Sequence, residues 1–114
     1  MKTKMLKKNY EFQRVFAKKN YYGGKYIEMF VMRNKQNVNY LGIAVSKKSA
    51  NSVKRNKIKR LIRENYRQIE NKIIQGNSYV ILWKKKANAE EANYYNIKDD
   101  INKIFKKAKL IKEE

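Results

Sequence analysis

Apolar residues recur along the chain with two spacings, and the longest regular stretch has the spacing of an α-helix. From Val53 to about Gln75 the apolar positions fall within an arc of about 140° at the helical period, with basic residues around the rest of the circumference. The apolar positions are Ile58, Leu61, Ile62, Tyr66, Ile69 and Ile73. The pattern predicts an amphipathic helix that is capped by Asn51 or Ser52 and stopped by Gly76-Asn77, which suits a left-handed C-cap.

Two further helices are predicted, one near each end of the chain. Near the start, Phe12, Val15 and Phe16 have the i, i+3, i+4 spacing of one helix face, and Asn9 precedes them as a candidate cap. The last helix has five apolar positions, which are Ile97, Ile101, Ile104, Phe105 and Ala108. Its start stays open, because both Asn88 and Asn93 can cap a helix.

Apolar runs of strand length lie between the predicted helices. Tyr26–Arg33 is predicted to be a strand, 34–37 a turn, and Val38–Ser46 the returning strand of a hairpin. Ser78–Trp83 is a third apolar run of strand length. The order helix, two or three strands, helix, strand, helix predicts a mixed α/β sandwich with one sheet, and we expect one domain over residues 1–114.

The charge of the chain indicates which class of partner it binds. Its 114 residues include 29 Lys+Arg and 10 Asp+Glu, which gives a net charge of +19. Residues 46–67 alone hold nine basic residues against the single Glu64. Cys and His are absent, so disulfides, Cys-ligated metals and the most common general base are excluded. This composition therefore excludes most enzyme mechanisms.

The basic residues of the middle helix admit two interpretations, a solvated face or a docking face for a polyanion. Solvated faces usually mix signs, whereas Arg55, Lys59, Arg63 and Arg67 form a like-charge ladder at i, i+4 spacing that destabilises a helix. Positive charge in the first turn also opposes the helix dipole. The ladder favours a nucleic acid. The nine Tyr and four Phe favour RNA, since rings stack on unpaired bases, although each ring taken singly is more often core.

A protein nuclease is the competing enzymatic interpretation, and it would need carboxylates that hold metal ions. The adjacent acidic pairs are Glu90-Glu91, Asp99-Asp100 and Glu113-Glu114. Neighbours at i, i+1 do not share a helix face, so we expect these pairs to be solvated surface. Gly23-Gly24 lacks the spacing of a phosphate loop. We therefore expect no catalytic residue and no metal site on this chain.

Nothing in the chain indicates a membrane or a secretory route. No apolar run approaches the roughly 20 residues of a membrane span. The first eight residues lack the apolar segment of a secretory signal. We expect a cytoplasmic protein without a membrane partner.

Two runs in the chain resemble a known family. Val45–Lys48 (VSKK) followed by Asn51–Arg63 (NSVKRNKIKRLIR) resembles the signature of the bacterial ribonuclease P protein subunit, and Lys7–Phe16 resembles that family's first helix. The resemblance covers nearly the whole chain. It implies an α-β-β-β-α-β-α fold with a small mixed sheet and a left-handed β-α-β crossover, similar to the second domain of a small-subunit ribosomal protein. The extra short strand would come from around Asn20 to Lys25.

The resemblance also implies a function. In this family a catalytic RNA removes the 5′ leader of precursor tRNA using RNA-bound magnesium, and the protein assists without a catalytic residue, a tightly bound metal or a further protein partner. The positions that match the RNA-docking motif are Arg55, Asn56, Lys57, Lys59, Arg60 and Arg63, with Lys47 and Lys48 nearby. Lys57 stands where many relatives have Arg, which removes a guanidinium fork at that position.

The same resemblance implies a cleft that holds the single-stranded leader. Phe12 and Phe16 match its rings, and Lys8 and Ser46 are the expected neighbours. Either Met29 or Phe30 matches a further aromatic position of the cleft, and the sequence leaves that choice open. A general RNA-binding or ribosome-associated module without leader recognition is the alternative function.

Overall fold

A single five-stranded sheet organises the computed structural model, which describes residues 3–112. The strands are β1 Lys4–Met5, β2 Tyr21–Gly23, β3 Ile27–Arg33, β4 Tyr40–Ala44 and β5 Asn77–Trp83. The helices are α1 Asn9–Ala17, α2 Ser52–Ile69 and α3 Tyr94–Lys107, with short 3-10 turns at Glu70–Lys72 and Ala89–Glu91. The mixed α/β class predicted above is confirmed. Within the described range, no helix combines the length and apolarity needed to cross a bilayer.

The strand order is β1-β4-β5-β3-β2. It shows that the predicted hairpin is wrong, and it confirms the expected extra strand. β4 is not the returning strand of a hairpin with β3, because β5 lies between them, antiparallel to β3 and parallel to β4. The reason is that β5 is buried at six of its seven positions, which suits a central strand covered on both faces. The extra strand expected around Asn20 to Lys25 is β2. β1 pairs in parallel with β4 and was missed, because two exposed residues carry no apolar pattern.

The main core lies between the sheet and the pair α2 and α3. All six apolar positions of the predicted middle helix are buried there, although the last of them, Ile73, follows the helix. From β3, Ile27, Met29 and Val31 point into this core, and the Tyr26 ring stacks on Trp83 with centroids 5.6 Å apart. The alternation of β3 leaves its other residues for the opposite face of the sheet.

Helix α1 covers the opposite face of the sheet. The strand register places Gly42, Val80 and Phe30 side by side across β4, β5 and β3. Val15 of α1 and Val80 are both fully buried, at 0% exposure. A Cβ on Gly42 would lie 2.6 Å from the Phe12 ring, so this close approach requires glycine. α1 therefore crosses the strands at this row and leaves the next row uncovered.

The first helix is capped differently from the prediction. Asn9 is the first helical residue and Lys8 the N-cap, so the prediction that Asn9 caps α1 is wrong. The Glu11 carboxylate accepts the backbone N–H groups of Lys8 and Lys7 at 2.8 and 2.9 Å and does the capping from inside the first turn. These two hydrogen bonds lower the pKa of Glu11, so the cap is intact at neutral pH and is lost as the pH falls through that lowered value.

The other helix ends resolve the alternatives left by the sequence. Asn51 caps α2 by accepting the Lys54 N–H at 2.9 Å, Asn93 caps α3, and Asn88 caps the 3-10 turn at Ala89–Glu91. α2 ends at Ile69, earlier than predicted, because the chain beyond the next 3-10 turn is extended and Ile73 bridges to Ile111. Gly76 does adopt a left-handed φ of 95°, but it serves the turn before β5.

Asp100 contradicts the expectation that the acidic pairs are solvated. It is only 3% exposed, and its carboxylate accepts the backbone N–H groups of Lys25, Tyr26 and Ile27 at 3.0, 2.6 and 2.9 Å. It therefore fixes the bend from which β3 starts. Asp99, Glu90 and Glu91 are exposed as expected, although Glu91 accepts a hydrogen bond from the Tyr26 hydroxyl. Glu113-Glu114 lies outside the described residues.

We predict that Asp100→Asn lowers the free energy of unfolding by about 1.5–3 kcal/mol, because an amide cannot replace a carboxylate that accepts three backbone N–H groups, two of them buried. Asp99→Asn removes the same charge from an exposed neighbour and should change stability by less than about 0.5 kcal/mol. Urea denaturation of both variants measures the difference. Equal losses would show that charge, and not the loop anchor, sets the effect.

Candidate nucleic-acid interface

The basic residues of α2 lie on the sides of the helix that point away from the core. We call Arg55, Asn56, Lys57, Lys59, Arg60 and Arg63 the α2 basic face. Asn56, Lys57 and Arg60 are exposed, whereas Arg55, Lys59 and Arg63 are half-buried along the flank of the apolar stripe. This half-burial fits long side chains whose stems cover apolar surface while their charged ends reach water.

The charge of the α2 basic face is largely unneutralised by the protein itself. Within residues 3–112 the ion pairs are Lys54 with Glu90 at 3.1 Å and Arg60 with Glu64 at 3.6 Å. None of the four ladder residues takes part in either pair. The Arg55 guanidinium instead donates to the Ala50 carbonyl at 2.9 Å, which fixes the side chain and leaves its charge in place. The ladder predicted from the sequence is therefore self-repelling in the described part of the fold.

Lys47 and Lys48 connect this face to the open side of the sheet. Both are exposed in the turn that follows β4, and the Lys48 N–H donates to Ser46 Oγ at 3.1 Å. Since Ser46 also lines a groove on the α1 side of the sheet, the two lysines lie between the groove and the start of α2. The positive surface is thus continuous from one feature to the other.

That groove, called here the sheet groove, has a volume of about 390 Å³. Its floor is the row that α1 leaves uncovered, with Ala44, Leu82 and Glu28 side by side on β4, β5 and β3. The other lining residues are Tyr21, Ser46, Trp83, Lys84, Lys85 and Lys86. The floor thus has two apolar residues and one carboxylate, and the lysine rim around it suits a chain that carries flat bases and phosphates.

The rings of α1 pack on the row of the sheet beside this groove, and neither ring lines the groove itself. Glu11, Arg14 and Lys18 line a depression on one side of α1, so helical spacing puts Phe12 and Phe16 on the flank toward the sheet groove. The Phe16 ring meets Phe30 edge to face with centroids 5.0 Å apart, and Phe30 meets Tyr21 in the same way at 5.2 Å. Both α1 rings are half-buried, so each packs on the sheet and keeps part of its surface accessible.

The structure decides between Met29 and Phe30, and it places Lys8 away from the sheet groove. Met29 is fully buried in the main core, whereas Phe30 lies on the groove side, so Phe30 is the aromatic residue of β3 at this site. Lys8 is exposed at the start of α1, in a shallow depression shared with Tyr10 and Tyr40, and it does not line the sheet groove.

Sequence reasoning missed Tyr21 and the lysines of the groove rim. Lys84, Lys85 and Lys86 directly follow the apolar run of β5, but averaging charge over residues 84–114 hid this cluster among acidic neighbours. Tyr21 pairs with Phe30 across two strands, which no local pattern reveals. Burial first, and then the nearby Glu28 carboxylate, raise the pKa of Tyr21, so its hydroxyl keeps its proton at neutral pH.

The acidic side chains offer no ready site for a metal ion in the described part of the chain. Residues 3–112 contain no group of three acidic residues close enough to share an ion. The most buried carboxylate, Asp100, is committed to three backbone N–H groups. What the interface offers is cations for binding an anionic chain and aromatic rings of the protein for stacking on it.

Comparison with known sequences identifies relatives of this chain. A family described as Ribonuclease P matches residues 1–109. The ribonuclease P protein component of Natranaerobius thermophilus is 41% identical over 108 residues, covering 95% of this chain and 92% of its own. The ribonuclease P protein component of Fusobacterium nucleatum is also 41% identical over 108 residues, covering 93% of this chain and 97% of its own.

Solved structures give the same result for the fold. The RNase P protein of Staphylococcus aureus superposes with a TM-score of 0.85 at 31% identity, covering 97% of this chain and all of that one. The RNase P protein of Thermotoga maritima superposes with a TM-score of 0.81 over 91% of this chain and 96% of that one. At 23% identity the second likeness supports the fold alone.

We predict that Lys59→Gln stabilises the isolated protein at low salt, because it relieves repulsion from Arg55 and Arg63. The expected gain in the free energy of unfolding is about 0.2–0.5 kcal/mol per relieved contact, shrinking as salt is added. Arg60→Gln removes the same charge but also the pairing with Glu64, so it should not stabilise. Denaturation at low and high salt checks this pair, and a loss for Lys59→Gln at low salt would show that the ladder is neutralised within the protein.

Proposed function

Because this chain belongs to the family of bacterial ribonuclease P protein components, with a role in tRNA processing, we propose that it binds the catalytic RNA and the 5′ leader of precursor tRNA. The observation that carries the proposal is the unneutralised α2 basic face, which Lys47 and Lys48 connect to a groove with a lysine rim and with the α1 rings beside it. One protein surface can then contact both RNAs at once.

The α2 basic face is the proposed docking surface for the catalytic RNA. Arg55, Arg60 and Arg63 carry guanidinium forks that suit bidentate phosphate contacts, while Lys57 and Lys59 act as point charges. Asn56 offers an amide for hydrogen bonds to the RNA backbone. Bound phosphates would also relieve the repulsion within the ladder. The electrostatic repulsion that destabilises the free protein would then contribute to the free energy of docking.

The sheet groove is the proposed site of the single-stranded leader. Phe12 and Phe16 would stack against bases, and Phe30 and Tyr21 extend this aromatic wall. The lysines at 84–86 and Ser46 would contact phosphates and sugars. Lys8, which the sequence assigned to the leader, lies outside the groove and is not part of this site. Mature tRNA has no leader, so it gains nothing from the groove, and the protein thereby favours substrate over product.

The chemistry of leader removal is expected to stay with the RNA. The proposed mechanism has magnesium ions held by RNA oxygens, and the protein contributes by screening phosphates, which lowers the magnesium concentration needed for folding and substrate binding. No residue of this chain is assigned a catalytic role, and no further protein partner is required. The expected location, the cytoplasm, follows from the proposed role in tRNA maturation.

Reconstitution tests the docking role. At limiting magnesium, the full chain added to its cognate catalytic RNA should restore cleavage of precursor tRNA at the mature 5′ end. Arg63→Ala should weaken assembly and reduce the slope of log affinity against log salt by about 0.7–0.9, since one phosphate contact is lost.

Lys98→Ala removes the same charge from the exposed side of α3 and should leave assembly and slope unchanged. An Arg63→Ala slope equal to that of the original chain would contradict docking through the α2 basic face. RNA binding without restored cleavage would indicate a general RNA-binding module instead.

Phe16→Ala is predicted to weaken binding of precursor tRNA to the holoenzyme by about 1–3 kcal/mol and to leave mature tRNA unaffected, because only the precursor has a base to stack. Phe16→Leu keeps most of the packing against Phe30 and separates lost stacking from lost folding. Tyr10→Ala removes a ring that is 56% exposed outside the groove and serves as the control. Equal losses for both RNAs would make the Phe16 ring a core residue only.

A further inference from the structure

A second cavity lies at the other end of the sheet, at the start of β5, on the face covered by α3. Its volume is about 860 Å³, which is within the range of small-molecule sites. We call it the end cavity. Tyr22, Ile74 and Leu110 contribute apolar and aromatic walls, while Gln36, Asn37 and Gln75 contribute amides. The sheet groove and the end cavity have no lining residue in common.

The charge at the end cavity is entirely positive. Arg33 and Lys35 line it, and none of its lining residues, all within 3–112, is acidic. This combination favours an anion over a cation or a neutral apolar ligand. Since both arginine and lysine are present beside amides, the ligand is expected to carry a phosphate together with hydrogen-bonding edges.

The backbone around the end cavity is unusual in a way that points to the same ligand. The described residues with left-handed φ are Lys19, Lys35, Gly76 and Lys109, at 56°, 60°, 95° and 58°. Lys35 and Gly76 line the cavity, and the other two are direct chain neighbours of the lining residues Asn20, Ala108 and Leu110. Glycine is the less strained residue in this conformation, and such strain clusters at ligand sites.

Lysine at three of these four positions therefore places cations where a smaller residue would fit the backbone better. Lys19 and Lys109 follow helix ends, where a positive charge also interacts well with the helix dipole. Lys35 has no such explanation, because it lies in the loop between β3 and β4. An anion in the end cavity accounts for Lys35, which lines the cavity, and would also attract Lys109, which adjoins two lining residues.

Both walls of the end cavity are held in place without a ligand. In the loop after β3, Asn34 Oδ1 accepts the Gln36 N–H at 2.9 Å, and the Asn34 N–H donates to the Gly76 carbonyl at 2.9 Å. On the other side, the Ile74 N–H donates to the Leu110 carbonyl at 2.8 Å. A cavity fixed in this way binds without a large ordering cost.

We propose that the end cavity binds one unpaired nucleotide of RNA. Arg33, Lys35 and Lys109 would contact its phosphate, the amides would meet its base edge, and Tyr22 and Leu110 would cover the base. An acidic peptide matches the charge but leaves the flat apolar wall unused. The proposal adds a third RNA contact to the α2 basic face and the sheet groove, and it shares with the proposed function only the premise that the chain binds RNA.

The test titrates the full chain with pentauridylate and follows backbone NMR signals at both sites. Gly76 and Gln36 report on the end cavity, and Ala44 and Leu82 report on the sheet groove. Lys35→Gly with Lys109→Gly removes two cations at positions where glycine suits the backbone, so the thermal midpoint should stay equal or rise. We expect affinity at Gly76 and Gln36 to fall at least about fivefold, with the salt slope reduced by about 0.7 per lost contact.

Lys98→Gln with Lys103→Gln removes the same charge from exposed positions of α3 and should change that affinity by less than about twofold, as expected for charges outside the contact. Lys35→Arg should retain binding. An end-cavity affinity that is the same in both double variants overturns the proposal, as does equal binding of pentaglutamate, which would indicate an acidic peptide site. If pentauridylate shifts the signals of Ala44 and Leu82 in the original chain but not those of Gly76 and Gln36, this proposal is overturned and the proposed function stays intact.

Discussion

The burial of β5 on both faces is the constraint from which the rest of this structure follows. A strand with almost no exposed position must be central, so it needs a neighbour on each side and a layer on each face. The neighbours are β3 and β4, and the parallel pairing with β4 requires a crossover, which is α2. The layers are α2 with α3 on one face and α1 on the other. The position of the α2 basic face and the uncovered row beside α1 both result from this arrangement.

A comparison of magnitudes explains how α2 can hold a self-repelling surface. Burial of one large apolar side chain contributes about 1.5–3 kcal/mol, while a like-charge pair at i, i+4 costs a few tenths of a kcal/mol. The stripe from Ile58 to Ile69 therefore outweighs the ladder from Arg55 to Arg67 several times over. The helix forms because of its buried side, which leaves the composition of its outer side free to serve binding.

The sequence predicted what depends on local spacing and failed where distant residues decide. The apolar stripe of α2 and the placing of Phe12 with Phe16 on one face were readable from periodicity, whereas the sequence left the α2 cap open between Asn51 and Ser52. The hairpin was wrong because strand order depends on β5, more than thirty residues beyond β4. Asp100 was misassigned for the same reason, since the N–H groups that it accepts begin 73 residues away at Ile27. Strand pairing also decided the choice between Met29 and Phe30.

The amount of charge argues that RNA contact extends beyond α2. Residues 46–67 hold nine basic residues and one acidic residue, a net of +8, which leaves +11 of the total +19 elsewhere. Excess charge of one sign opposes the compact state, so its retention needs a compensating gain. The lysines at 84–86 place part of this excess at the sheet groove, and Arg33 and Lys35 place another part at the end cavity. A polyanion that reaches these two sites as well as α2 would neutralise charge that a helix contact alone leaves exposed.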